Sequence, residues 1–252
     1  MRLTAAGAEF LAHARTVLQA SDLASRAMRR YVSGRQLRVG LIAGALAAAE
    51  LTEPILRQAQ DDANDIMLDA KVLTAFGDQF RSLTEEWVDI AIVRGPLHHP
   101  DIDVVPLLLE PRAVLVSRHG ELGEYDCLDL EDIRKQQTVS LAAPRSWADY
   151  WELQLESGPP RPDPNVPPAR DLKEMQQAVA TSQSIVATSP AVDRLAPDPE
   201  TRCVVFEDAP PSVIALAFRR KDARPELERF IESALAAAEA GIESVPGGAI
   251  TS

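Results

Sequence analysis

The sequence predicts a long N-terminal helix followed by an α/β fold with a parallel β-sheet core, and three observations lead to this prediction. Residues 37–60 read LRVGLIAG and then ALAAAELTEPILRQAQ, a buried strand that turns at Gly44 into an amphipathic helix. Strand and helix patterns alternate up to residue 94, as in parallel strands joined by right-handed crossovers. A second half with the same mixture of elements begins at residue 119.

Composition limits the classes of protein to which the chain can belong. It has 252 residues, 46% of them hydrophobic, which suffices for one large domain or two small ones. It contains no apolar run of about eighteen residues that would span a membrane, and its N-terminus lacks the apolar region of a signal peptide. Two cysteines are too few for a disulfide framework, so we expect a cytoplasmic protein. The net charge of −12 argues against nonspecific nucleic-acid binding by the bulk of the chain.

Residues 4–33 are predicted to form one long helix with the seam of a coiled coil. Apolar and small residues recur there at alternating spacings of three and four, which favours dimerisation over packing on the helix's own domain. The seam consists of Phe10, Ala14, Val17, Ser21, Ala24, Met28 and Tyr31. Residues 1–36 also hold six arginines against two acids, a pattern of either a solvated face or a phosphate-contacting face.

The first half of the α/β region alternates regularly between the two kinds of element. Its predicted elements are a strand at 37–43, a helix at 46–62, a strand at 66–73, a helix at 77–87, and strands at 88–94, 102–109 and 112–117. The carboxyl ends of parallel strands meet at one edge of a sheet, where helix N-termini offer free amides to a ligand. The turn at Gly44, Ala45 and Leu46 is therefore the first place to expect a small-molecule site.

The second half has shorter elements. SWADYWELQ is predicted as a helix capped by Ser146, and DLKEMQQAVAT as a helix capped by Asp171. SIVATSP, RCVVFED and SVIALAFRR are predicted strands, and Pro225 opens a last amphipathic helix that ends at Gly241. The tail, residues 242–252, is expected to be disordered.

No catalytic or cofactor-binding motif is present in the sequence. It lacks a phosphate loop, a dinucleotide-binding glycine fingerprint, a nucleophile elbow and an HExxH motif. The adjacent pair His98 and His99 has no third ligand nearby, and Asp61, Asp62 and Asp65 are typical of a solvated turn, so no metal is predicted. We therefore expect no enzyme, no cofactor and no metal.

Residues at four predicted strand ends point instead to a ligand-binding cleft. These candidate effector-binding residues are Gly44, Ala45, Leu46, Arg94, Gly95, Ala143, Arg145, Ser146, Thr188 and Ser189. Two arginines, several hydroxyls and two helix N-termini suit a small anionic molecule. The alternatives are a structural salt bridge for Arg94, and a surface charge and helix cap for Arg145 and Ser146.

Several segments, in their order and spacing, resemble a LysR-type transcriptional regulator over nearly the whole chain. LTAAGAEFLAHARTVLQ resembles the end of that family's winged helix-turn-helix and the start of its linker helix. LRVGLIAGALAAAELTEPILRQAQ resembles the first strand and helix of its effector-binding domain, and WVDIAIVRGP with DIDVVPLLLEPRAVLVSRHGEL resembles the segment that reaches the first crossover. SVIALAFRRKDARPELERFIESAL resembles the strand and helix that return to the first subdomain.

The resemblance implies two Rossmann-like subdomains joined by two crossover strands, as in periplasmic binding proteins, and preceded in the chain by a long dimerisation helix. It implies the following boundaries: residues 1–35 for the winged-helix end and linker helix, 36–118 for subdomain I, 119–208 for subdomain II, 209–241 for the return to subdomain I, and 242–252 for the tail. The implied function is to sense a small effector between the subdomains. The implied partners are a second copy in a homodimer that associates further into a homotetramer, and DNA through a helix-turn-helix upstream of LTAAG.

The chain departs from the family's pattern at three places. Only Met1 and Arg2 precede LTAAG, so the DNA-reading helix is expected to be absent from this chain. The hydroxyl residue that many members carry after the first strand is replaced here by Gly44 and Ala45. The usual glycine-rich turn before SIVATSP is replaced by residues 181–183. Two alternatives of the same shape stay open: a solute-binding protein of a transport system, and an enzyme on a two-lobed scaffold.

Overall fold

The computed structural model describes residues 36–251, apart from residues 64, 97 and 154–159, and seven single positions nearer the N-terminus. Those seven positions are Thr4, Gly7, Phe10, His13, Ala14, Val17 and Ser21. The chain divides into an N-terminal unit of residues 1–36 and a larger unit of residues 37–252.

The described positions of the N-terminal unit agree with the predicted helix. Every one from Gly7 to Ser21 is helical, and the Thr4 hydroxyl caps the helix by accepting a hydrogen bond from the Gly7 amide at 3.1 Å. Phe10 and Val17 of the predicted seam are 73% and 67% exposed. The other seam residues with a described position are Ala14 and Ser21, whereas Ala24, Met28 and Tyr31 lie outside the described residues.

The larger unit alternates strands and helices along most of its length. In chain order its strands are β1 (Gln36–Ile42), β2 (Met67–Leu73), β3 (Ile90–Arg94), β4 (Ile102–Glu110), β5 (Ala113–Ser117), β6 (Cys127–Leu128), β7 (Gln137–Thr138), β8 (Arg161–Pro162), β9 (Val186–Thr188), β10 (Thr201–Phe206), β11 (Ser212–Arg219) and β12 (Ala249–Ile250). Its α-helices are α1 (Thr52–Asp62), α2 (Asp78–Thr84), α3 (Arg145–Trp151), α4 (Leu172–Thr181), α5 (Ala191–Leu195) and α6 (Pro225–Gly241).

Within the described residues, the strands form two main sheets. The first has the order β12-β4-β11-β3-β1-β2, in which β1 and β3 run parallel and β11 runs antiparallel to both β3 and β4. The second has the order β6-β10-β5-β9. The chain passes from β4 to β5 at residues 111–112 and returns from β10 to β11 at residues 207–211. Two α/β subdomains joined by two crossovers are therefore present, as predicted.

Local sequence accounts for several of these elements. Every residue of β3, which reads IAIVR, is buried, because this strand lies inside the first sheet and is covered by helices. Helix α4 starts where predicted, since the Asp171 carboxylate accepts a hydrogen bond from the Glu174 amide at 2.9 Å. Helix α6 has Pro225 in its first turn and packs against α1.

Two predicted boundaries need correction. Subdomain I was predicted to extend to residue 118, but β5 pairs with β9 and β10 in the second sheet, so the crossing occurs at residues 111–112. The tail at residues 242–252 was predicted to be disordered, yet Ala249 and Ile250 pair with β4. Val245 is 3% exposed, and Gly247 has a φ of 71°, which lets the chain turn back to the sheet edge.

Among the described helices, none is both long enough and apolar enough to cross a lipid bilayer.

Candidate ligand-binding site between the two sheets

A small cavity lies between the two sheets at the carboxyl ends of three strands. Ile42 at the end of β1 and Arg94 at the end of β3 line it from the first sheet, and Thr188 at the end of β9 lines it from the second. Its volume is about 60 Å³, far below the roughly 300–1,000 Å³ of typical ligand pockets. The position is that of a ligand site in an open α/β sheet, but the cleft is nearly closed.

The turn after β1 forms one wall of the cavity in a strained backbone conformation. Ala43 and Gly44 have φ values of 51° and 64°, in the left-handed region that glycine adopts easily and alanine does not. The Ala43 amide donates to the Leu73 carbonyl at 3.0 Å, which ties this turn to β2. Helix α1 begins only at Thr52, after two 3-10 turns, so the prediction of a helix starting at residue 46 is wrong.

Aromatic rings form the opposite wall. Phe76 stacks on Trp147 with ring centroids 5.3 Å apart and planes inclined by 29°, and Trp147 lies 5.9 Å from Trp151. The two tryptophans occupy one face of helix α3, and the Trp147 indole N–H donates to the Arg94 carbonyl at 2.5 Å. Helix α3 thus joins the second subdomain to the end of β3.

Helix α3 also contacts the first crossover and the start of β11, which follows the second crossover. The guanidinium of Arg112 lies 3.9 Å from the centre of the Tyr150 ring and donates to the Tyr150 carbonyl at 3.0 Å. The Tyr150 hydroxyl accepts a hydrogen bond from the Val213 amide in β11 at 3.3 Å. One short helix thus contacts the cavity, the first crossover and the start of β11, which follows the second crossover.

The positive charge at the cavity wall is already compensated. The Arg94 guanidinium pairs with the Glu110 carboxylate, and its Nε donates to the Leu46 carbonyl at 2.8 Å. Arg94 is 8% exposed and Glu110 is 1% exposed, so water screens this pair little. Ser212 donates to one Glu110 oxygen at 3.2 Å, and the other oxygen has no partner among the described residues.

Two sets of contacts close the cleft from outside the cavity. Arg194 on α5 pairs with Glu50, which follows the β1 turn, and the Phe76 amide donates to the Arg170 carbonyl at 2.8 Å. Burial raises the pKa of Glu50, but the hydrogen bond from Arg194, a backbone hydrogen bond and the charges of Arg194 and Arg94 together outweigh burial and leave that pKa below its usual value. We call the Glu50–Arg194 pair the latch, since it connects the two subdomains across the cleft.

Four of the ten residues predicted from the sequence line the cavity, namely Leu46, Arg94, Thr188 and Ser189. The other six, all of them described, do not line it: Gly44, Ala45, Gly95, Ala143, Arg145 and Ser146. Arg145 is exposed and pairs with Asp149 at 2.8 Å. The predicted cap by Ser146 is wrong, because Pro144 is the N-cap of α3 and no side chain caps that helix.

The sequence reasoning missed the apolar part of the cavity wall. Phe76, Trp147, Trp151 and Met175 all line it, and none of them was a candidate. One signal was available: two of the three tryptophans in the chain are spaced four apart in the predicted helix SWADYWELQ, and so share one face.

The fold and cavity define a class of protein, the two-subdomain α/β binding domains that enclose a ligand between their subdomains. A family model described as the LysR substrate binding domain matches residues 32–239. The chain therefore belongs to the LysR substrate-binding domain family, as the resemblance predicted.

Solved structures of LysR-family proteins share this fold. Full-length CbnR complexed with its target DNA is 19% identical, with a TM-score of 0.64 over 95% of this chain and 85% of that chain. The BenM effector binding domain with its effector benzoate is 14% identical, with a TM-score of 0.63 over 83% and 93%. The effector binding domain of QuiR in complex with shikimate is 20% identical, with a TM-score of 0.62 over 81% and 97%. At these identities the likeness establishes the periplasmic-binding-protein-like fold.

Proposed function

We propose that this chain is the effector-sensing portion of a LysR-type transcriptional regulator, and that its effector binds in the cavity between the two subdomains. The observation that carries the proposal is a cavity between the two sheets at the carboxyl ends of β1, β3 and β9, within a chain of this family. The proteins BenM and QuiR, which share the fold, hold benzoate and shikimate in their effector binding domains.

Binding in this cavity requires the cleft to open. A cavity of about 60 Å³ is too small for an effector of ordinary size, and the latch spans its outer side. A ligand that fits only a wider cleft favours the open arrangement by its difference in affinity for the two forms. The contacts of α3 with Arg112 and Val213 would carry that change to both crossovers.

The predicted partners are part of the proposal. The exposed positions Phe10 and Val17 support dimerisation through the N-terminal helix, since apolar side chains at this spacing pair well with a second copy. We infer a homodimer that associates further into a homotetramer, acting in the cytoplasm. Effector binding would alter DNA binding through a helix-turn-helix of the LysR type.

The dimer contact is tested by Val17→Glu, which places a charge in the predicted seam and should lower the mass measured by light scattering. An unchanged mass would show that the helix is not the dimer contact.

Cavity occupation is tested by thermal-shift screening of small organic molecules against two matched variants. A ligand at a hundred times its Kd stabilises the folded state by about 2.7 kcal/mol, which raises the Tm by roughly 5–10 °C in a chain of this size. Ala187→Leu fills the cavity from its wall and should abolish the shift, whereas Ala236→Leu on the exposed face of α6 should preserve it. Ligands that shift both variants equally would show that the effector binds elsewhere.

A further inference from the structure

We propose that the ligand of this cavity is a small, uncharged molecule built on one aromatic ring, an inference that rests on the proposed function. The prediction of an anionic effector rested on two arginines, several hydroxyls and two helix N-termini, and both of those arginines, Arg94 and Arg145, have carboxylate partners in the structure. The ligand class follows from three properties of the cavity wall: its aromatic rings, its charge balance and its remaining hydrogen-bonding groups.

The rings give the cavity a preference for a flat apolar ligand. Phe76 and Trp147 stack at 5.3 Å, and Trp151 follows at 5.9 Å, so that three rings from two subdomains meet at one wall. Aromatic rings attract one another in offset-stacked and edge-to-face arrangements beyond what their apolar area contributes. As the cleft opens, Phe76 on the first subdomain moves away from Trp147 on the second, and a ring of the ligand can take the vacated contact.

The charge balance disfavours an anion. Arg94 is the cation of the described cavity wall, and its guanidinium is shared between Glu110 and the Leu46 carbonyl. An anion that captured Arg94 would leave the Glu110 carboxylate 1% exposed and without its counter-ion, which is strongly unfavourable. An anion that left the pair intact would itself be buried beside a compensated charge, at a similar cost.

The remaining polar groups at the wall suit a neutral substituent. Thr188 is a buried residue, and its hydroxyl makes no hydrogen bond within the described residues. The Ser189 hydroxyl accepts a hydrogen bond from the Ala191 amide at 3.0 Å, so its own proton can still be donated. The indole N–H of Trp151 is buried without an acceptor in the described part of the chain. Hydroxyl and indole groups of this kind recognise a carbonyl, amide or alcohol without requiring charge.

The experiment compares three probes of nearly equal size on the whole 252-residue chain: benzamide, benzoate and cyclohexanecarboxamide. Benzamide and benzoate differ mainly in charge at pH 7, and the third probe replaces the aromatic ring with a saturated one. Binding is followed by tryptophan fluorescence in a Trp87→Phe background, where Trp147 and Trp151 are the remaining tryptophans of the sequence. Ala187→Leu and Ala236→Leu again separate cavity binding from binding elsewhere.

We expect benzamide to bind at least about tenfold more tightly than benzoate and more tightly than the saturated amide, with all binding lost in Ala187→Leu. Cavity binding of benzoate that equals or exceeds that of benzamide overturns the ligand class and leaves the proposed function intact. Cavity binding of the saturated amide as tight as that of benzamide, or no cavity binding by either aromatic probe, overturns the aromatic assignment. The proposed function itself fails only if no ligand of the broader screen is sensitive to Ala187→Leu.

Discussion

The two ends of strand β3 each carry a buried ion pair, and their surroundings differ. At the start of the strand, Asp89 is 1% exposed and meets three arginines. Its Oδ1 lies 2.7 Å from Arg38, 3.2 Å from Arg219 and 3.0 Å from Arg224. These arginines come from β1, the end of β11 and the residue before α6, so this end of the strand fixes four segments of the first subdomain together.

At the other end, Arg94 has one carboxylate partner, Glu110, one of whose oxygens is unpaired among the described residues. That pair borders the cavity, whereas Asp89 lies at the opposite end of the same strand. The difference teaches that the two pairs have different roles. The Asp89 cluster holds the subdomain together, and in our proposal the Arg94–Glu110 pair sets the charge that a ligand encounters.

The largest expected effect is a loss of folding stability when Asp89 is replaced by alanine. Asp89→Ala would leave Arg38 without a carboxylate partner and would remove one of the two partners of Arg219 and Arg224, and breaking a buried pair in this way costs roughly 3–5 kcal/mol. We expect the free energy of unfolding, measured by urea titration, to fall by about that amount. Asp222 still pairs with two of the arginines, which places the expected loss toward the lower end of the range.

The matched control is an ion pair on the surface. Glu53 and Arg57 are 3.7 Å apart and mostly exposed, so Glu53→Ala should change the free energy of unfolding by less than about 0.5 kcal/mol. Equal losses for the buried and the exposed variant would contradict the role assigned to the start of β3.

The pH dependence of stability follows from the same carboxylate and should be smaller than the effect of the substitution. Burial raises the pKa of Asp89, but hydrogen bonds from Arg38 and the charges of Arg38 and Arg224 together outweigh burial and hold that pKa far below its ordinary value of 3.8. A depressed folded-state pKa means that the stabilisation is present above pH 3.8 and is lost as the pH falls below it. Urea titrations of the wild type between pH 6 and pH 3 should show this fall, and Asp89→Ala should show a shallower one. Parallel curves for the two proteins would contradict the assignment.

Among the residues to which a role is assigned, the latch should contribute least to stability. Arg194 and Glu50 have side chains that are 30% and 21% exposed, so Arg194→Ala should cost no more than about 1 kcal/mol of unfolding free energy. Its effect should be kinetic, because binding that waits for a conformational change is slowed. Stopped-flow fluorescence should show faster association of benzamide with Arg194→Ala than with the wild type. The exposed variant Arg57→Ala serves as the control, and equal rates for all three proteins would show that the latch does not limit access.

The sequence predicts the framework of the first subdomain because its signals are local. The apolar run at β3 and the glycine after β1 identify a buried strand and a turn without any knowledge of distant residues. Asp171 and Pro225 likewise mark the starts of α4 and α6 correctly. The short strand at Ala249 is not predicted, because two residues are too few to show the alternating hydrophobic pattern of a strand and because its partner, β4, is distant in the sequence.

The site is less predictable because it depends on strand register. From the sequence, a structural salt bridge was one of two interpretations of Arg94, but its partner could not be identified. That partner is found only through β11, which places Ile214 opposite Arg94 and Ser212 opposite Glu110. The aromatic wall is hidden for a similar reason, since Phe76 and Trp147 lie far apart in the sequence, belong to different subdomains and meet only in the folded chain.

We propose that Glu110 neutralises Arg94 and thereby excludes anions from the cavity, and the variant Glu110→Gln tests this role most directly. Glutamine keeps the size of the side chain and removes its charge, leaving the Arg94 guanidinium to attract a carboxylate. The measurement is the ratio of the Kd values for benzoate and benzamide, taken by fluorescence titration at pH 7 on the wild type and on Glu110→Gln under conditions where both are folded. We predict that the substitution shifts this ratio toward benzoate by at least about tenfold. An unchanged ratio would contradict the claim.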